Sequence, residues 1–313
     1  MYQMISISNH IKYPRTRFGM VGAFRTTLSV STALLALCAS TPAHAIDVDA
    51  AEYQPVPPGT NLALLYYQHV DRNQLYSAGQ RVPGDNRLDS DIGIFRYLHY
   101  MSVGGFLTAP EVLVPFGRLG AHGTASSLGS TSGVGDVIFG LPTWLVNDSV
   151  HRQYFAITPF LIAPTGSYDN NRALNLGNHR WQYAVQLGYL AGITQKLFFN
   201  LTGDVSFFGA NHDFGPLSQT LTESPLYELQ VAVHYKVTDA LDLRAGYAHM
   251  WGGQTRIDGV DQGDMSRQQK FYVGAAWFFN PSTQILATWG RDLSVENGFK
   301  ETNRINLRLL KAF

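Results

Sequence analysis

The chain has 313 residues, a formal net charge of +0 and 45% hydrophobic residues. Charged residues make up 15%, against roughly 25% in ordinary soluble domains, while aromatics reach 12%. This balance excludes a disordered chain and a basic nucleic-acid binder, and Cys38, the lone cysteine, excludes a disulfide framework or multi-thiolate metal site.

Residues 1–45 hold Lys12, Arg15, Arg17 and Arg25 but no acid, and a short apolar run over 26–40 precedes Ala43-His44-Ala45. A basic start, a short apolar stretch and an A-x-A site predict a secretory signal peptide cut after Ala45. Met20 opens a signal of ordinary length by itself, so both starts stand. The apolar run is too short for a spanning helix of about 20 residues. Leu37 precedes Cys38 where a lipobox has a small residue, so Cys38 reads as part of the apolar run.

Beyond residue 60 the dominant signal is period-2 alternation, the mark of strands with two unlike faces. Tyr227, Leu229, Val231, Val233 and Tyr235 alternate with Glu228, Gln230, Ala232, His234 and Lys236. Trp181, Tyr183, Val185, Leu187 and Tyr189 alternate with Gln182, Ala184, Gln186 and Gly188. Twelve such strands are predicted, at about 61–74, 87–100, 105–116, 134–146, 153–166, 179–192, 195–209, 223–237, 240–254, 267–280, 283–294 and 302–313. Their length suits tilted strands that cross a bilayer rather than the mean of about 5–6 residues in soluble sheets.

Connections alternate between short (101–104, 147–152, 193–194, 238–239, 281–282) and long (77–86, 117–133, 166–178, 210–222, 253–266, 294–301). That is the pattern of an outer-membrane barrel with short periplasmic turns and long external loops. The predicted fold is all-β: a transmembrane antiparallel up-and-down barrel of about twelve strands over 61–313, in a bacterial outer membrane, termini periplasmic. Closure satisfies every backbone group, as lipid requires. The alternating C-terminus ending on Phe313 resembles the signal read by the barrel assembly machinery, although Lys311 breaks the apolar row and must snorkel at the rim. Tyr66, Tyr67, Trp144, Trp181, Tyr235, Trp251 and Trp277 are candidates for the interfacial girdles.

Several motifs carry a family resemblance. They are Glu52-Tyr53 with Pro57-Pro58-Gly59-Thr60, Gly133-Val134-Gly135-Asp136, Pro164-Thr165-Gly166-Ser167-Tyr168-Asp169, and Asn175-Leu176-Gly177-Asn178 with Arg180-Trp181. Over nearly the whole mature chain the sequence resembles the outer-membrane "transporter" family named for the phenol meta-degradation pathway. The resemblance implies a barrel channel passing hydrophobic or aromatic compounds, with no catalytic residues. The glycines and Pro164 also have a purely architectural reading, since both punctuate strand ends.

The inward parity supplies Glu111, Asp136, Asp204, Glu228, His234, Lys236, Arg244, Lys270, Arg304 and Arg308 as candidate lumen-lining residues. On the lipid face a basic residue would cost about 2–4 kcal/mol near the midplane, so one-sided placement tests the barrel. Arg291 shares parity with Ile285, Ala287 and Trp289 and belongs near the external rim. Two roles stay open for the lining charges: a selective constriction, or a cross-lumen salt-bridge web. The acidic stretch 46–58, within the predicted periplasmic segment 46–60, reads either as a partial plug or as a disordered leader.

The expected function is passive passage of small hydrophobic or aromatic molecules, with outer-membrane lipid and the permeant as partners and no cofactor. A barrel enzyme acting on lipid or peptide, and a non-conducting structural barrel, are the alternatives. An enzyme needs a serine activated by a nearby histidine, yet no histidine is followed by x-Ser and G-x-S-x-G is absent. His212-Asp213 is a weak pair of the kind that loops carry as solvated surface.

Overall fold

A computed structural model describes residues 47–313; the predicted signal peptide lies outside the described residues. Twelve strands form the wall. They are β1 (Asn61–Ser77), β2 (Asn86–His99), β3 (Glu111–Gly123), β4 in three pieces (Ser130–Val134, Val137–Gly140, Thr143–Asp148), β5 (Gln153–Ala163) and β6 (Gln182–Gly192). Then come β7 (Leu197–Phe208), β8 (Leu226–Lys236), β9 (Leu241–Gly252), β10 (Ser266–Asn280), β11 (Thr283–Val295) and β12 (Gly298–Ala312). Each pairs antiparallel with its neighbours, and β12 returns to β1 in register from Leu62↔Ala312 to Tyr76↔Gly298. The sheet is a closed barrel.

Alternation dictates which face is which. In β6, Gln182, Ala184 and Gln186 are buried while Tyr183, Val185 and Leu187 are exposed. In β8, Glu228, Gln230, Ala232 and His234 point in, and Tyr227, Leu229, Val233 and Tyr235 point out. The exposed rows of Leu, Val, Tyr and Trp run round the barrel as an apolar outer band, which only lipid can cover favourably.

Backbone bonds between Asn61 and Phe313 join the two chain ends of the barrel, and this end is termed proximal. The long loops gather at the opposite, distal end, where Asn211–Phe214, Gln219–Glu223, Thr255–Ile257 and Val260–Asp261 build a separate four-stranded sheet. The sequence misplaced two connections. The proximal link after β2 is not tight: it carries a small hairpin, Met101–Val103 with Phe106–Thr108, whose outer strand pairs with the last piece of β4. The third strand therefore starts at Glu111 rather than near 105. The last distal link is not long: Glu296 and Asn297 alone separate β11 from β12, with Gly298 at a positive φ of 106°.

The aromatics also divide differently. Trp181 and Trp251 are exposed at the distal ends of their strands, Tyr235 and Trp277 at the proximal ends, and Tyr67 lies outward in β1. Tyr66 and Trp144 are not girdle residues. Period 2 sends Tyr66 inward beside Arg96, and Trp144, 3% exposed, follows the break at Leu141-Pro142 into the barrel. There Trp144 joins Leu62, Leu64, Leu98, Tyr100, Leu190 and Phe198 in an apolar core that fills the proximal mouth.

Candidate functional site

Of the described residues before β1, the segment 47–53 does not hang outside the barrel; it enters the lumen. Asp47 is bound by Lys270 and, at 2.7 Å, by Arg304. Asp49 lies 2.9 Å from Arg308, and Glu52 bridges Arg308 at 3.3 Å and pairs with Arg96. The main chain is held as firmly. The N–H groups of Val48, Ala50 and Ala51 donate to Gln230 (3.1 Å), Tyr272 (3.1 Å) and Asn200 (3.0 Å), and Arg244 donates to the Ala50 carbonyl. Tyr53 donates to Gln186 at 2.7 Å, and the Trp144 indole N–H donates to the Tyr53 carbonyl at 3.0 Å. Every polar group so placed would otherwise be a desolvated cost.

Two glycines make this seat possible. A Cβ on Gly188 would sit 2.0 Å from the Tyr53 ring, and one on Gly246 would sit 2.2 Å from the Tyr272 ring that receives Ala50. The segment 47–53 is therefore a built plug.

The charged candidates form a web around it. Lys270 also reaches Glu228 at 3.2 Å, and Arg304 reaches Glu301 at 2.6 Å, which in turn takes Arg72 at 2.9 Å. Asp204 stands directly across from Glu228 in the β7–β8 ladder and receives a 3.4 Å contact from Gln186. Glu111 takes Arg96 at 2.6 Å, and Arg244 lies 3.5 Å from Asp242. His234 and Lys236 stand apart near the proximal rim: His234 stacks on Phe198 with centroids 4.6 Å apart, and Lys236 lies 5.3 Å from the same ring. Lys270, Arg304, Arg308 and Arg244 grip the plug directly; Glu228 and Glu111 share its cations.

Asp136 does something else. It sits in the first break of β4, and its carboxylate accepts the N–H groups of Gly166 and Asn178, each at 2.8 Å. Above Val137 the β4–β5 ladder ends, so Ser130–Val134 pairs with β3 alone and loop 164–181 closes the wall. Ser167 donates to the Val134 carbonyl at 2.7 Å, and Gly166 crosses Gly177 so closely that a Cβ would lie 2.6 Å from backbone. This seam gathers three of the sequence motifs noted above: Gly133–Asp136, Pro164–Asp169 and Asn175–Asn178.

Among the described residues, two spaces inside the barrel bear on the site. Around Asp47, Lys270, Glu301 and Arg304 there is a polar pocket of about 50 Å³. Distal to it opens a cavity of about 260 Å³, lined by Leu88, Ile138, Ile162, Leu174, Met250 and Phe299 and bordered by Arg72, Asp136 and Glu301. The first is room for a water or so; the second exceeds the roughly 150 Å³ in which an apolar site takes benzene. No group of His, Cys, Asp and Glu suited to a metal ion occurs among the described residues.

Sequence parity did not single out Arg72, Arg96, Glu301, Tyr272 or Asn200. For Arg72 and Glu301 the reason is local: register shifts on both sides of Arg72 displace the alternation. Arg96 lies in a row with Ile94 and Leu98, so its face carried no polar signature.

A search of curated proteins gave no match. Among solved structures, an outer-membrane channel of the COG4313 group from Pseudomonas putida F1 is 37% identical. It covers 85% of this chain and 100% of its own, with a TM-score of 0.83. The β-domain of the Bordetella autotransporter BrkA, 12% identical with a TM-score of 0.51 over 82% of this chain and 100% of its own, shares the barrel fold alone. The model of the family described as "Putative MetA-pathway of phenol degradation" matches residues 71–309, and the chain belongs to that family of outer-membrane barrels.

Proposed function

We propose that the protein is a passive outer-membrane entry route for small hydrophobic or aromatic compounds, with the proximal end facing the periplasm. The observation that carries this is the pairing of an apolar distal cavity of about 260 Å³ with a lumen stoppered by an ion-paired segment. A hydrophilic solute gains nothing from the cavity and meets the plug. An apolar one gains about 25 cal/mol for each Å² it removes from water on entering.

Onward passage then runs sideways into the bilayer, across the seam at Asp136. There the wall is held by a loop instead of a strand ladder, and the cavity touches Pro115, Phe116, Gly135 and Leu176. The candidate lining charges serve in this reading to seat the plug rather than to select ions. A liposome uptake assay over phenols, aromatic acids and alkanes tests it. Faster entry of uncharged aromatics than of sugars of similar size is expected; the reverse order supports a hydrophilic pore, and no entry supports a non-conducting barrel.

A further inference from the structure

We propose that the outer wall of the barrel carries, near its distal end, a site for the phosphate of an anionic membrane lipid, built on Arg291 and Lys300. The argument begins with the outward row of β11, where Trp289, Arg291 and Leu293 follow Ile285 and Ala287. Arg291 lies directly opposite Phe271 in the β10–β11 ladder, and Trp289 packs edge-on against Phe271 with centroids 5.7 Å apart. The indole N–H of Trp289 donates to Asn303 at 2.7 Å. Lys300 Nζ reaches the Leu293 carbonyl at 3.0 Å, one outward position beyond Arg291. An indole with its N–H satisfied by a polar side chain is what marks the level where hydrocarbon gives way to headgroups. Arg291 and Lys300 stand just beyond that level, where lipid phosphates are.

Charge singles out the same place. The other exposed arginines of the twelve wall strands are each answered: Arg118 by Asp91 at 2.7 Å, Arg267 by Glu296 at 3.4 Å and Arg87 by Asp85 at 3.0 Å. Arg81, which also forms no ion pair among the described residues, lies off the wall in the distal loop beyond β1. Arg291 is exposed and forms no ion pair among the described residues. Asp71, further round the wall beyond Asn303, is already held by His69 (3.3 Å) and Asn303 (3.1 Å). An unanswered cation on a lipid-facing wall is tolerable only at headgroup depth, where the membrane itself can supply the anion. The guanidinium fork fits two phosphate oxygens, the ammonium adds a second charge, and the Trp289–Phe271 pair offers a surface for the first acyl carbons.

The test uses the purified full-length barrel in detergent, with three probes: lipid A carrying its phosphates, the same lipid dephosphorylated, and inorganic phosphate. Native mass spectrometry reads retained lipid, and thermal unfolding reads protection. Phosphorylated lipid A should be retained and protective, and the dephosphorylated form should not. The double substitution Arg291→Gln, Lys300→Gln should weaken retention about tenfold, as expected for losing charge-assisted contacts. Arg291→Lys, which keeps the charge but loses the fork, should fall between, and Arg118→Gln should match the parent. Heat-modifiable gel migration confirms that each variant is folded. Equal retention by the double variant, equal binding of dephosphorylated lipid, or full protection by inorganic phosphate would each overturn the assignment.

Discussion

Arg304 Nη1 lies 2.7 Å from Asp47 Oδ2, joining residues 257 positions apart across the lumen. The same arginine holds Glu301 at 2.6 Å, and Lys270 closes the other side of Asp47. Replacing the Asp47 carboxylate with a neutral amide leaves Lys270 to Glu228 alone and Arg304 to Glu301 alone. Because Asp47 is itself 36% exposed, water screens the pair and its loss weakens the seat by less than a fully buried pair would. Asp47→Asn combined with Asp49→Asn should unseat the plug, raise single-channel conductance in planar bilayers and shift selectivity toward anions. Unchanged conductance and selectivity would show that the plug is held by other means.

Gly188 gives a steric route to the same end. Its missing Cβ is the space that the Tyr53 ring fills, so Gly188→Val must push Tyr53 out of contact with Gln186 and Trp144. Loss of a buried aromatic is worth about 3–5 kcal/mol. The variant should unfold at a lower temperature and conduct more than the parent. Tyr53→Ala with Gly188 intact should behave alike, whereas Gly203→Val, on the outward face where a Cβ would make only ordinary contacts with Leu229 and the Glu228 carbonyl, should not.

The barrel was legible because lipid demands a uniform face. Rows such as Tyr227, Leu229, Val231 and Val233 alternate cleanly since nothing but hydrocarbon covers them. The interior was legible only in part because it is not uniformly wet. Leu62, Leu64 and Leu98 fill the proximal mouth, so on β1 and β2 both faces are apolar and Arg96 is hidden among them. The plug left no periodic trace: Asp47, Asp49 and Glu52 are fixed by partners that lie more than forty positions along the chain or further, and local pattern does not encode such contacts. The tight turn at Glu296 and Asn297 is hidden in the sequence because Lys300 and Glu301 have the polarity of loop residues, although Glu301 is 2% exposed inside the wall.

At the seam, Val134 and Ser167 are bonded neighbours: the Ser167 N–H donates to the Val134 carbonyl at 2.7 Å, and its hydroxyl accepts the Val134 N–H at 3.2 Å. Cysteines at these two positions, bridged by a short bifunctional thiol reagent that contains a cleavable disulfide, would tie the loop to the strand. In the cross-linked protein, uptake of an uncharged aromatic should fall several-fold and recover on reduction, while ion conductance stays constant. If cross-linking leaves uptake intact, passage does not cross this part of the wall.

The distal cap carries its own pH limit. Hydrogen bonds from Ser218 and Asn170 hold the Asp213 carboxyl below the usual carboxylate range, and the Thr220 N–H and Gln219 do the same for Asp258. A depressed folded-state value means that this stabilisation is complete above the ordinary carboxylate pKa of about 3.9 and is lost as pH falls through the lower folded value. Protease resistance of loops 209–225 and 253–265 should therefore be constant from neutral pH down to about 5 and decline only in stronger acid. Asp213→Asn with Asp258→Asn should remove that acid sensitivity. A cap that loosens between pH 7 and 6 would place its control elsewhere.

The cavity itself can be closed without touching any charge. Met250 is 5% exposed and packs with Leu226 and Phe208 at the cavity wall, opposite the seam residues Asp136 and Ile138. Its thioether adapts to irregular space, whereas an indole at that position would take up a large share of the apolar volume. Met250→Trp should reduce uptake of two-ring aromatics more than uptake of phenol, with little change in unfolding temperature. Met250→Ala enlarges the cavity and should widen the size range, at a stability cost of about 2–5 kcal/mol. Opposite movement of the size limit in the two variants would place the permeant in this cavity, and equal insensitivity in both would remove the cavity from the route.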